Sequence, residues 1–213
     1  MNRDYAKLHF VVILWGFTAI LGELIQLESP VLVFYRVGLS GIILAILIKT
    51  IKAPGVESRK GQMQMLANGL LLGTHWTLFF LSVKIANVSV CMIGMATTSL
   101  WTAILEPLLV KKRSFRAYEF GLGGIMIAAI ALIVGSDFNY LSGLLIAIFS
   151  AGIGTLFSIL NSRFTKKYNH YTIALYQMIG ATLIAGAGIL LTALWKKSMP
   201  NLMPSYQDIG WML

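Results

Sequence analysis

The chain has 213 residues, 57% of them hydrophobic and 12% charged, with a formal net charge of +9 and a mean hydropathy of +0.78. A soluble domain carries about a quarter charged residues, so this composition excludes that class. The positive charge does not point to nucleic acid, because the basic residues fall between apolar blocks, where loops of membrane proteins collect Lys and Arg.

Seven apolar segments follow in order, at about 8–27, 31–50, 64–84, 88–110, 117–135, 141–162 and 171–195. Each is near the roughly 20 residues that a helix needs to cross a bilayer. The runs are apolar on every face, which excludes the short alternating strands of a barrel. The expected fold is all-α, a polytopic membrane helical bundle with seven complete helices. Turn and charge signals close the segments: Glu28-Ser29-Pro30, Ala53-Pro54-Gly55, Ala86-Asn87, Lys111-Lys112-Arg113, Ser136-Asp137 and Lys166-Lys167. The first segment lacks a small-x-small cleavage site before Glu23, so it is an uncleaved helix rather than a signal peptide. The lone Cys91 excludes an internal disulfide.

Counting Lys and Arg by side sets the orientation. With the N-terminus inside, thirteen face the cytoplasm, from Arg3 and Lys7 to Lys166 and Lys167. The outside receives Lys84, Lys196 and Lys197, and Arg36 stays within a span. That asymmetry predicts a cytoplasmic N-terminus; the expected location is the plasma membrane, the inner membrane of a bacterium.

Segments 2 and 7 share a pattern: Tyr35-Arg36 aligns with Tyr176-Gln177, and a Gly follows in each. Residues 8–135 then form one unit of five helices, and 141–213 begin a second with two helices and the approach to a third. A copy of an odd-numbered unit inserts upside down, the inverted-repeat plan of secondary transporters. The chain accordingly reads as a piece of a ten-helix protein.

Several stretches carry a family resemblance. "LWGFTAILGELIQLESPVLVFYR" holds an opening Trp-Gly, a loop Pro and an early Arg of helix 2. "HWTLFFLSVKIANVSVCMIGMATTSLWTAILEPLL" holds a short Asn-Val-Ser link between two helices. "GLGGIMIAAIALIV" is Gly-rich, and "LSGLLIAIFSAGIGTLFSILNSRFTKKY" resembles the start of a second repeat. Together they resemble the EamA-type transporters of the drug/metabolite transporter superfamily. The resemblance implies ten helices, cytoplasmic termini and export of small metabolites, amino acids or drugs by alternating access. Two positions depart from it. Glu23 stands where relatives often carry Lys, and Lys111-Lys112 replace a Glu before the basic loop, with Glu106 further inside.

The candidate pathway residues are Glu23, Arg36, His75, Trp76, Trp101, Glu106, Tyr176 and Gln177. Glu23 and Arg36 fall about 6–7 Å below the same surface at 1.5 Å per residue, on helices joined by a short turn. That predicts antiparallel neighbours and a charge pair, either a gate or a static pair with side chains reaching outward. His75 and Trp76 lie near the midplane. His75 is a candidate for substrate or proton binding, or for bonding to a neighbouring helix. Gly69, Gly73 and Thr77 form a small-residue stripe suited to close packing, as do Gly94, Thr98 and Thr102. Trp101 faces the pathway or lipid. Glu106 precedes Pro107, which favours a kink, and is either a buried proton-coupling carboxylate or exposed beside Lys111 and Lys112. Tyr176 and Gln177 mirror Tyr35 and Arg36 from the other side.

No phosphate loop, metal-ligand set or nucleophile constellation is present, so no cofactor, metal or catalytic residue is expected. A seven-helix receptor or retinal protein is disfavoured by the cytoplasmic N-terminus and the lack of a central Lys in segment 7. An intramembrane enzyme is disfavoured by isolated carboxylates. The expected partners are a small-molecule substrate and the lipid bilayer, not nucleic acid; proton coupling and a homodimer are compatible with this reading.

Overall fold

A computed structural model of the chain describes residues 3–110, 114–134 and 138–212. The described residues are helical, with no strand among them: α1 (Arg3–Leu24), α2 (Ser29–Thr50), α3 (Arg59–Ile85), α4 (Val88–Ala96), α5 (Thr98–Leu109), α6 (Ala117–Val134), α7 (Leu141–Phe164), α8 (His170–Lys196) and α9 (Tyr206–Met212). Six spans are long and apolar enough to cross a membrane, with Val88–Leu109 counting as one; α6 adds a shorter apolar run. The protein is therefore a polytopic helical membrane bundle. Lys111, Lys112, Arg113, Ser136 and Asp137, which carry two of the expected turns, lie outside the described residues.

The helix starts follow their local chemistry. Ser58, Asn87 and Asn169 precede α3, α4 and α8, and each side chain accepts from a backbone N–H of the first turn. Pro30 opens α2, where its missing N–H costs nothing. Ser58 also explains why α3 begins earlier than the apolar run. Its cap lets the polar turn Arg59–Gln62 coil before the hydrophobic stretch starts.

Four tertiary contacts fix which loops share an end. At the upper end, Lys196 of α8 lies 2.9 Å from Glu28 in the α1–α2 turn, and Ser82 of α3 donates to the Gly143 carbonyl of α7 at 2.7 Å. At the lower end, Thr172 donates to Pro54 in the α2–α3 loop at 2.9 Å, and Arg163 donates to Leu109 at 2.5 Å. Between these ends α3 is the central helix, packed against α7, α8 and α2.

Lipid tails are as apolar as Leu, so burial of apolar surface does little to bring membrane helices together. Close backbone approach and hydrogen bonds do more. The α3–α8 seam shows this. A Cβ on Gly69 would sit 2.4 Å from the Gln177 carbonyl oxygen, one on Gly73 2.7 Å from the Ala181 Cα, and one on Gly180 2.3 Å from the Leu66 carbonyl oxygen. The expected stripe of Gly69 and Gly73 is thus a packing face. Gly94 does the same for α4, against Ala147 of α7.

Two expectations change. The α1 and α2 helices make almost no direct contact despite their short connection; each rests on α3 and they splay apart. The fourth span is interrupted at Thr97, not at Pro107, through which α5 continues. The cause is local. Thr97, Thr98 and Ser99 donate their hydroxyls to the carbonyls of Gly94, Met95 and Ala96 at 2.6, 2.6 and 3.2 Å. Three successive side chains thus compete for the carbonyls that would extend the helix.

Candidate functional site

The splay of α1 from α2 opens a cleft of about 160 Å³ whose floor is α3. Trp15 and Thr18 come from α1; Val33, Arg36, Val37 and Ser40 from α2; Trp76 and Phe80 from α3. The spacing explains the convergence. Val33, Arg36, Val37 and Ser40 repeat at i, i+3, i+4 and i+7, one face of a helix, and Trp76 and Phe80 are one turn apart.

Phe80 organises the cleft. A Cβ on Gly22 would lie 2.3 Å from the Phe80 ring, so only a glycine lets α1 seat against it. Phe79 meets the same ring edge-on, with centroids 5.2 Å apart at 86°. On α2, the Arg36 guanidinium carbon stands 5.4 Å from the Phe80 centroid. Arg36 is half-buried, and no carboxylate among the described residues pairs with it. A cation within a bilayer costs about 2.5–3.5 kcal/mol. The aromatic face returns about 0.5–2 kcal/mol of that, which leaves the charge only partly compensated.

The expected Glu23–Arg36 pair is therefore absent. Glu23 is exposed near the end of α1 and acts instead on Lys84 of α3, together with Asp208. Lys84 donates its ammonium to the Ile25 carbonyl, capping α1. The reason is the splay: it carries Arg36 away from α1, while Lys84 lies directly beneath the α1–α2 turn.

The segment after α8 closes this upper end. Ser205 and Asp208 form a reciprocal cap on α9, with the Ser205 N–H donating to Asp208 Oδ2 at 2.9 Å and the Asp208 N–H to Ser205 Oγ at 3.1 Å. Asp208 Oδ1 also accepts the Gln26 N–H at 2.7 Å, and the Tyr35 hydroxyl donates to the Leu202 carbonyl at 2.8 Å.

The midplane candidates belong to a different interface. His75 Nδ1 lies 2.9 Å from both the carbonyl and the hydroxyl oxygen of Ser150, while that hydroxyl donates to the His75 carbonyl at 2.8 Å. A carbonyl only accepts, so Nδ1 carries the proton and Nε2 the lone pair of the neutral ring. The ring packs on Gly154. Trp101 packs on Gly152 in the same helix and donates to the Ile148 carbonyl at 2.9 Å. His75 and Trp101 thus fasten α3 and α5 to α7 and do not line the cleft, whereas Trp76 does.

Glu106 is half-buried in α5 and acts on Arg116, which bonds the Tyr118 hydroxyl at 3.0 Å and lies 3.9 Å from Glu119. Tyr176 packs against Val56, Met65 and Ile173 at the lower end. Gln177 is buried and donates from Nε2 to Asn161 Oδ1 at 2.7 Å. The eight candidates therefore divide: Arg36 and Trp76 line the cleft, His75 and Trp101 pack against α7, Tyr176 and Gln177 lie at the lower end, Glu23 stands by Lys84 at the upper end, and Glu106 acts on Arg116. Sequence reasoning missed Trp15, Thr18, Ser40 and Phe80; the helical face defined by Arg36 and Trp76 would have found Ser40 and Phe80.

Comparison with curated proteins and with solved structures gave no match. The sequence matches the EamA-like transporter family over residues 7–136, more than half of the chain, and this span contains the whole cleft. The chain belongs to the EamA-like transporter family, whose members are transporters rather than enzymes.

Proposed function

We propose that the protein is a secondary-active exporter of small metabolites, amino acids or drugs, working by alternating access, and that the α1–α2 cleft is the substrate path. The observation that carries this reading is Arg36, a half-buried cation without a carboxylate partner among the described residues, on a cleft walled by aromatic rings. The cationic end suits a carboxylate or similar anionic group, and Trp15, Trp76 and Phe80 suit an apolar body. At about 160 Å³ the cleft is smaller than the roughly 300–1,000 Å³ of a pocket for a drug-sized ligand, so a bulky ligand needs the helices to part further.

The inverted-repeat plan is supported by register. Arg36 and Gln177 each follow the first residue of their helix, Ser29 and His170, by the same interval, from opposite ends of the bundle. The Lys and Arg asymmetry supports a cytoplasmic N-terminus in the plasma membrane, which puts the cleft in the outer half of the bilayer.

The test is flux from proteoliposomes across a metabolite panel, with and without a proton gradient. Arg36→Gln should lower flux of an anionic substrate at least tenfold while the protein still inserts. Glu23→Gln, at an exposed position, should leave flux within twofold. Equal flux in wild type and Arg36→Gln would defeat the assignment of the cleft.

A further inference from the structure

Outside the cleft, one polar group stands out. Asn68 of α3 is 2% exposed, and its Oδ1 is the buried side-chain atom left without a hydrogen bond among the described residues. Its Nδ2 points at the Phe157 carbonyl of α7, 3.4 Å away. Flipping the amide would set two oxygens face to face, so this contact fixes which atom is the orphan. A buried acceptor without a donor is costly in any protein, and more persistently so within a bilayer, where water is not at hand to replace the partner.

A candidate donor is on the helix packed against it. Gly69, the next residue of α3, packs directly on the backbone of Gln177 in α8. Gln177 is also buried, and its amide has two N–H groups, of which one is donated to Asn161 Oδ1 at 2.7 Å. Asn161 is only half-buried, near the lower end of α7. If the Gln177 amide left Asn161, water could replace it there; if it reached Asn68, the orphan would be satisfied.

The seam between the two helices permits the movement. Gly69 and Gly180 present bare backbone where α3 meets α8, and only the Ile184 side chain seats in the Gly73 notch, so few side chains resist a small slide or rotation. The exchange keeps the number of amide–amide bonds, and the gain at Asn68 is offset in part by the bond given up at Asn161. That is what a two-state membrane protein requires, since states a few kcal/mol apart at most can both be populated.

We infer that Asn68 is the second acceptor of Gln177, and that the passage of the Gln177 amide between Asn161 and Asn68 sets the α3–α8 seam in one of two positions. The exchange is a gate at the lower end of the bundle, across the membrane from Arg36. Asn68 is a positioning residue here, because it acts through Gln177 and touches no substrate. The inference does not depend on the cleft being the substrate path.

The experiment uses the full chain in proteoliposomes, with Cys91→Ser removing the native thiol and Ile173→Cys as reporter. Ile173 is 3% exposed, lies one turn from Gln177 on α8, and is packed on Val56 and Met65. A membrane-impermeant maleimide, applied to the side bearing the α7–α8 loop, reads how often that seam opens. Asn68→Leu should slow labelling at least tenfold without lowering the unfolding midpoint. In a Gln177→Leu background, which lacks the amide and so both bonds, adding Asn68→Leu should change the labelling rate less than twofold. Unchanged labelling in Asn68→Leu alone, or a further large slowing when it is added to Gln177→Leu, overturns the inference. If Asn68→Leu does not accumulate, Asn68→Ala removes the acceptor with less bulk and carries the same expectation. The readout needs no substrate, so a wrong assignment of the cleft leaves the result interpretable.

Discussion

Gly69→Ala isolates the close approach of α3 and α8. The new methyl would sit 2.4 Å from the Gln177 carbonyl oxygen, 2.7 Å from its Cα and 2.9 Å from its carbonyl carbon. Ordinary contact is about 3.5 Å, so the helices must part by about 1 Å at this point. A gap of 0.5–1 Å already forfeits about a quarter to a half of each contact's attraction, and the loss extends along the seam to Gly73 and Gly180. Overpacking of this kind costs about 1–3 kcal/mol. Against it stands the helix preference of Ala over Gly, about 1 kcal/mol. Gly38→Ala supplies the control, because a methyl added to Gly38 of α2 would meet nothing within 4 Å and so gains the helix term alone. Taking the difference between the two variants cancels that term, so Gly69→Ala should be less stable than Gly38→Ala by about 1–3 kcal/mol. Unfolding midpoints in one detergent give the comparison. A Gly69→Ala midpoint equal to or above that of Gly38→Ala would refute the reasoning, since the seam would then have room that the geometry denies.

Two further expectations concern the upper end. Burial works to raise the Asp208 carboxyl, but the N–H groups of Gln26 and Ser205, the Ser205 hydroxyl and the Lys84 charge outweigh it and hold it below its ordinary value. A lowered folded-state value makes the contribution complete above the unfolded-state value of about 3.9, and lost as pH falls through the folded one. The α9 segment should therefore resist proteolysis equally from about pH 5 to 8 and loosen below about pH 4; Asp208→Ala should be cleaved faster at neutral pH. Resistance that falls between pH 8 and 5 would contradict this sign. By contrast, Glu28→Gln breaks an exposed pair with Lys196, and its unfolding free energy should change by less than about 0.5 kcal/mol. A larger loss by the same denaturation assay would mean the pair is shielded from solvent.

Much of the fold was legible because bilayer thickness imposes a length that hydrophobicity reveals directly. The segment at 31–50 became Ser29–Thr50, and 171–195 became His170–Lys196. The splay of α1 from α2 was not legible, because chain connectivity says that two helices are near in sequence, not that their faces fit. Its physical cause is tertiary: Gly22 seats α1 on Phe80, while α2 is drawn to α8. The break at Thr97 was overlooked for a related reason. Pro107 is the stronger breaker in isolation, yet three adjacent hydroxyls acting on three carbonyls interrupt the span first. For the site, charge singled out Arg36 but paired it with a neighbour that the structure places elsewhere. Depth was matched between Glu23 and Arg36, and depth alone does not fix the direction of a side chain around a helix. Asn68 escaped notice because a single Asn in an apolar run is common; only the geometry around Oδ1 makes it unusual.

The distribution of charge along α3 bears on why Arg36 stands without an acid. Trp76, Phe80 and Lys84 recur every fourth residue and so share one stripe of that helix. At the top of the stripe, Lys84 feels the charges of Glu23 and Asp208 and gives its own donor to the Ile25 carbonyl. Four residues below, about 6 Å along the axis, Phe80 offers Arg36 only the face of a ring. The anions are thus committed where the bundle meets water, and the positive charge left over lies deeper, beside the cleft. A guanidinium does not shed its proton to escape this, as a buried Lys can. An anionic solute reaching the cleft would supply the compensation that the protein withholds. A resident carboxylate at that depth would compete with such a solute for the same donors. With Glu23 acting on Lys84, no carboxylate among the described residues occupies the Arg36 donors, which is the condition the proposed transport reading needs.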